Sequence, residues 1–100
     1  MSGKIPDGFV AYKRTPIFDE STLPAGLRRQ HRTKPGVWAL IHVTEGRIKF
    51  RTFDPKRETI VAAGEAATVR PEERHEVEPM GAMKMYVEFY AGEDRTPQPT

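Results

Sequence analysis

Hydrophobic and polar positions alternate along most of this chain. Val37, Ala39, Ile41 and Val43 alternate with Trp38, Leu40, His42 and Thr44, a period of two that predicts an extended strand with both faces at least partly buried. Arg47 to Phe53 repeats the pattern, with Ile48 and Phe50 inward and Arg47, Lys49 and Arg51 outward. Glu45-Gly46 between these segments predicts a tight turn and a hairpin. Further strands are expected at Glu58 to Ala62, Ala66 to Arg70, His75 to Glu78 and Met83 to Tyr90. Turn residues part them at Asp54-Pro55-Lys56, Ala63-Gly64-Glu65, Pro71 and Met80-Gly81. In the last strand Met83, Met85, Val87 and Phe89 alternate with Lys84, Tyr86, Glu88 and Tyr90. Leu27 to Lys34 also reads as extended, with Leu27, Arg29, His31 and Thr33 on one face.

Residues 1–26 are punctuated by Pro6, Pro16 and Pro24 and predict an arm with at most a short edge strand near Phe9 to Tyr12. Ser21 or Thr22 would cap one helical turn, which Pro24 would end. Residues 27–90 form the expected body, and residues 91–100, with Pro97 and Pro99, a frayed tail. About seven or eight short strands parted by turns predict an all-β sandwich or barrel. A chain of 100 residues is one domain.

Composition narrows the picture further. Apolar residues make up 37% and charged residues 30%, too apolar for a disordered chain and too polar for a membrane protein. A net charge of +2 is no footprint of a dedicated nucleic-acid binder. No cysteine is present, so disulfides and thiolate ligands or nucleophiles are excluded. There is no signal-like apolar run near the start and no membrane-length apolar stretch, which places the expected location in the cytoplasm.

The chemistry rests on few residues. His31 shares a face with Leu27, and His75 shares parity with Val77, so both imidazoles are expected to enter one interior. Two imidazoles and a carboxylate would hold zinc, iron or nickel; Glu88 is the candidate third ligand, on the condition that a bulge turns it inward. The other reading makes each histidine a half-buried residue bonded to a backbone carbonyl. Arg29 and Thr33 would line a ligand pocket beside His31 and receive an anion. Trp38, Tyr86 and Tyr90 fall on outward faces and would form a homodimer interface. His42 lies on that outward face, outside the expected site.

The segment Gly64-Glu65-Ala66-Ala67-Thr68-Val69-Arg70-Pro71-Glu72-Glu73-Arg74-His75 resembles the second cupin motif, and Val43-Thr44-Glu45-Gly46 the close of the first. Leu23 to Leu27, His31 to Trp38, Pro71 to His75 and Phe89-Tyr90 resemble the YeaR/TehB-like family, small cupin-like proteins related to tellurite resistance. The resemblance spans about Pro6 to Tyr90. It implies a jelly-roll β-sandwich with a small pocket at the positions of His31 and His75, and a role in the response to toxic oxyanions. Where a standard cupin has its second histidine and its glutamate, this chain has Thr33 and Ala39.

The expected function is therefore a small cupin-like binding protein that takes a divalent metal or a small-molecule or oxyanion ligand. An interaction module with structural histidines and an enzyme acting on a small acid are the alternatives.

Overall fold

The computed structural model describes residues 5–28 and 31–92, except the side chains of residues 31 and 32. In chain order these form β1 (Phe9–Arg14), β2 (Phe18–Asp19), α1 (Ala25–Arg28), β3 (His31–Arg32), β4 (Trp38–Glu45), β5 (Arg47–Phe53), β6 (Lys56–Ala62), β7 (Ala66–Val69), β8 (Arg74–Pro79) and β9 (Lys84–Gly92). The strands build two antiparallel sheets. The first has the order β1-β9-β4-β7, with β2 also on β9; the second has the order β3-β8-β5-β6.

The period of two explains how the sheets pack. Ala39, Ile41 and Val43 of β4 and Met85 and Val87 of β9 join Ile48 and Phe50 of β5 and Val77 of β8 in one core. Each fully enclosed side chain, such as Ile41 or Ile48, contributes about 1.5–3 kcal/mol by leaving water. The alternate residues of β4 and β9 face outward. The two sheets make the β-sandwich that the alternation predicts, and no helix among the described residues is long and apolar enough to cross a membrane.

The expected hairpin of β4 and β5 does not form. β4 pairs with β7 and β9, whereas β5 pairs with β6 and β8, so Glu45-Gly46 carries the chain from one sheet to the other. Gly46 makes this corner possible: its φ is +69, and a Cβ there would lie 2.1 Å from the carbonyl oxygen of Ala82. The hairpin of this region is β5–β6, in register from Arg47↔Ala62 to Phe53↔Lys56 around Asp54-Pro55.

The extended reading of Leu27 to Lys34 also fails over most of its length. Residues Ala25–Arg28 form one helical turn, and β3 is only His31–Arg32. Pro24 precedes that turn rather than ending one, because its fixed φ suits a helix start; its carbonyl accepts from Leu27 N at 3.0 Å. Asp19 and Thr22 together organise the bend before it: Asp19 Oδ1 accepts from the backbone N–H of Ser21 at 2.8 Å and of Thr22 at 2.9 Å, and Thr22 Oγ1 accepts from the Asp19 N–H at 2.8 Å. β1 lies along β9 as a sheet edge, and β9 runs on to Gly92, opposite Phe9, so Ala91 and Gly92 belong to the sheet.

Candidate functional site

β8 carries His75 into the sandwich. Its partner in register on β5 is Thr52, Thr52 in turn pairs with Arg57 on β6, and on the other side the backbone of His31 pairs with His75. Cross-strand partners in an antiparallel sheet share a face. Arg57, Thr52 and His75 thus form one polar row across the inner face of the second sheet, one step from the apolar row Phe50–Val77.

His75 is only 4% exposed. Its Nδ1 lies 2.9 Å from the carbonyl oxygen of Glu73. A carbonyl only accepts, so Nδ1 carries the proton, and in the neutral ring the lone pair sits on Nε2. The imidazole packs against Phe50, with ring centroids 5.9 Å apart. Thr52 donates from Oγ1 to the carbonyl of Pro55 at 2.9 Å, which leaves its hydroxyl lone pairs as acceptors.

The turn from Arg70 to Glu73 sets where His75 enters. Glu73 N donates to Arg70 O at 3.2 Å, and Glu72 adopts a φ of 59, a left-handed conformation uncommon outside glycine. Glu72 N donates to the carbonyl of Thr33 at 3.0 Å, which ties this turn to the end of β3. Thr33 is buried, and its Oγ1 has no hydrogen-bond partner among the described residues. A buried hydroxyl without a partner costs about 1–3 kcal/mol, so among the described residues the Thr33 hydroxyl is a polar group left unmet beside the histidine strand.

A groove of about 1040 Å³ opens where the edges of β6 and β7 flank each other. Phe50 and Thr52, the two neighbours of His75, line it together with Arg57, Ile60, Val61 and Trp38. Arg70 also lines it, but its guanidinium is paired with Glu73 Oε2 at 2.9 Å.

Glu88 does not join His75. β9 keeps strict alternation opposite β4, with Leu40↔Glu88 in register and no bulge between Trp38 and Val43, so Glu88 faces outward. There its Oε1 lies 2.9 Å from His42 Nε2 and accepts from Tyr90 Oη at 3.0 Å, while Oε2 is 3.6 Å from Arg14. His42 stacks on Tyr86 at 4.7 Å, and the Arg14 guanidinium lies over the Tyr86 ring at 4.4 Å. Burial raises the pKa of the Glu88 carboxyl. The hydrogen bonds from Tyr90 and His42 and the charge of Arg14 more than offset this, so it titrates below the ordinary carboxylate value.

Of the expected site residues, His75 and Thr33 are buried at one end of the second sheet, and Glu88 is on the outer face of the first. His31 shares the backbone ladder with His75, its side chain lying outside the described residues, as does Arg29 entirely. Trp38, Tyr86 and Tyr90 are half-buried on the outer face of the first sheet, with Trp38 set edge-on against Phe9 at 6.3 Å. The sequence reading missed Arg57 and the role of His42. Arg57 shares parity with Val61, a signal masked by the charged run Lys56-Arg57-Glu58.

A family model for the TehB-like domain matches residues 13–87, three quarters of the chain and both sheets. The chain belongs to the TehB-like domain family. Within this family's range, the uncharacterized protein YeaR of Escherichia coli K12 is 29% identical over 86 residues, covering 77% of this chain and 72% of YeaR. A crystal structure of an Escherichia coli K12 protein superimposes with a TM-score of 0.83 at 25% identity, over 95% of this chain and 98% of that one. TehB from Haemophilus influenzae superimposes with a TM-score of 0.78 at 25% identity over 86% of this chain, which spans only 32% of TehB. At the level of fold alone, a cupin protein from Bacteroides fragilis matches with a TM-score of 0.53 and 16% identity. The sandwich is a cupin-like jelly roll. Ala39 is buried in the core.

Proposed function

We propose that this protein binds a small ligand at the His75 end of the sandwich and serves, in the cytoplasm, in the response to toxic oxyanions that the family resemblance implies. One observation carries the reading. His75 is buried, its Nδ1–H is committed to the Glu73 carbonyl, and it stands beside two groove-lining residues, Phe50 and Thr52. A ring held this way has its tautomer and orientation set in advance, as a ligand-contacting imidazole requires.

The donor set argues against a metal centre built from described residues. Zinc, iron or nickel calls for about three protein ligands. No group of three His, Cys, Asp or Glu gathers among the described residues, and Glu88 is bound to His42 on the other sheet. The reading therefore runs through direct ligand contacts of His75, Thr52 and the strand end at Thr33.

The test follows the imidazole nitrogens of His75 by NMR while tellurite, zinc, acetate and longer carboxylates are added in turn to protein purified without a metal-affinity tag. Movement of the His75 signals with at least one probe, and loss of that probe's binding in His75→Ala with the fold intact, is the expected result. Silence of His75 toward every probe overturns the reading. Stoichiometric metal in the purified protein, absent from a His31→Ala, His75→Ala double variant, would replace it with a metal centre.

A further inference from the structure

The groove is far larger than an oxyanion. A bare tellurite-like ion fills roughly the space of two or three waters, about 60–90 Å³, against a groove of about 1040 Å³. Grooves of this size accommodate organic molecules of many heavy atoms.

Its walls are of two kinds. Phe50, Val61 and Ala67 of the inner faces line an apolar side, with Trp38 at its edge. An inorganic oxyanion, which needs polar partners all round, gains nothing from such a wall, whereas an apolar body gains by leaving water. The charged side chains of the groove are not equivalent. Arg70 is neutralised by Glu73, and Glu65 accepts from Ala62 N at 2.8 Å. Arg57 stands in the row with Thr52 and His75 and pairs with no carboxylate among the described residues.

We infer that the groove takes an organic monoanion, a carboxylate carried on an apolar body, with the body along Trp38, Phe50 and Val61 and the carboxylate at Arg57. The inference rests on the small-ligand reading above and gives that ligand its chemical class. Arg57 offers a guanidinium fork that a carboxylate can engage through two parallel hydrogen bonds. Its free charge next to an apolar wall separates an organic acid both from its neutral amide and from a compact oxyanion.

The experiment is an amide NMR titration of the full chain with carboxylates from acetate and benzoate to phenylpropionate and octanoate, each beside its primary amide, and with tellurite. The signals of residues 57–61 and 64–68 are expected to move with the longer acids. Each acid should bind at least about tenfold more tightly than its amide. Arg57→Gln, a change at an exposed edge position, should bring acid and amide to equal affinity, while Arg57→Lys retains part of the preference.

Equal binding of acid and amide, indifference to Arg57→Gln, or no response of 57–61 to any member of the series overturns the inference. If tellurite or acetate moves His75 and Thr52 alone, the organic-acid class falls and the small-ligand reading stands. If residues 57–61 respond to the acids while His75 stays silent, the reading at His75 falls and the groove's preference for organic acids stands.

Discussion

His42 and His75 sit on opposite sheets and are held by opposite nitrogens. His75 donates from Nδ1 to the Glu73 carbonyl inside the sandwich, whereas His42 faces the Glu88 carboxylate with Nε2 on the outer face of the first sheet. An ionised carboxylate only accepts, so His42 carries a proton on Nε2 and His75 one on Nδ1. The acceptor that each ring meets thus selects its tautomer, and the kind of acceptor decides what can disturb it. A backbone carbonyl does not titrate; a carboxylate does. The inner histidine is a fixed group beside an open groove, and the outer one is part of a satisfied network of His42, Glu88, Tyr90 and Arg14.

The largest effect is expected from removing the apolar support of the inner site. Phe50→Ala deletes the ring against His75 and should cost about 3–5 kcal/mol in urea denaturation. The NMR signals of His42 should stay in place. A loss below about 1 kcal/mol would show that the inner end is loosely packed and that the two histidines are less different than described.

Glu88→Gln breaks the outer network and should cost about 1.5–3 kcal/mol near neutral pH. The pH dependence has a definite sign. Because the folded state holds Glu88 below the ordinary carboxylate value of 4.5, its ionised form stabilises the fold above that value. This contribution is lost as pH falls through the folded pKa. The stability gap between wild type and Glu88→Gln should therefore be full above about pH 4.5 and shrink below it, measured by denaturation at a series of pH values. A constant gap would show that Glu88 acts through packing alone.

Imidazole nitrogen spectra sharpen the comparison directly. In neutral rings, His75 should show its proton on Nδ1 and His42 on Nε2, and Glu88→Gln should disturb only the second. The same tautomer at both positions would remove the contrast. Arg14→Ala should have the smallest effect, within about 1 kcal/mol, because its side chain is 60% exposed and its ion pair with Glu88 is long.

Several of these features were legible in the residues. The alternation in β4, β5 and β9 assigned Ile41, Ile48, Met85 and Val87 to the core and Glu88 and Tyr86 to the outside, and each is found there. The placement of Glu88 beside His75 needed a bulge, and β9 has none opposite β4 in that stretch. The segment from Leu27 was misread because a short polar and apolar alternation also fits a helical turn flanked by irregular backbone, and Pro24 acts differently before a helix than within one.

By itself the sequence determined that this chain is an all-β sandwich or barrel, which side chains fill its interior, and that His75 lies inside while His42 does not. These follow from a period of two, a local property of each strand. Only the tertiary structure decided that β4 and β5 lie in different sheets, that Arg57 and Thr52 stand in line with His75, and that Glu88 binds His42. Parity assigns a residue to a face, but neither the neighbouring strand nor the register. Those depend on contacts between residues far apart in the chain, such as His42 with Glu88 and Gly46 with Ala82, which no local pattern encodes.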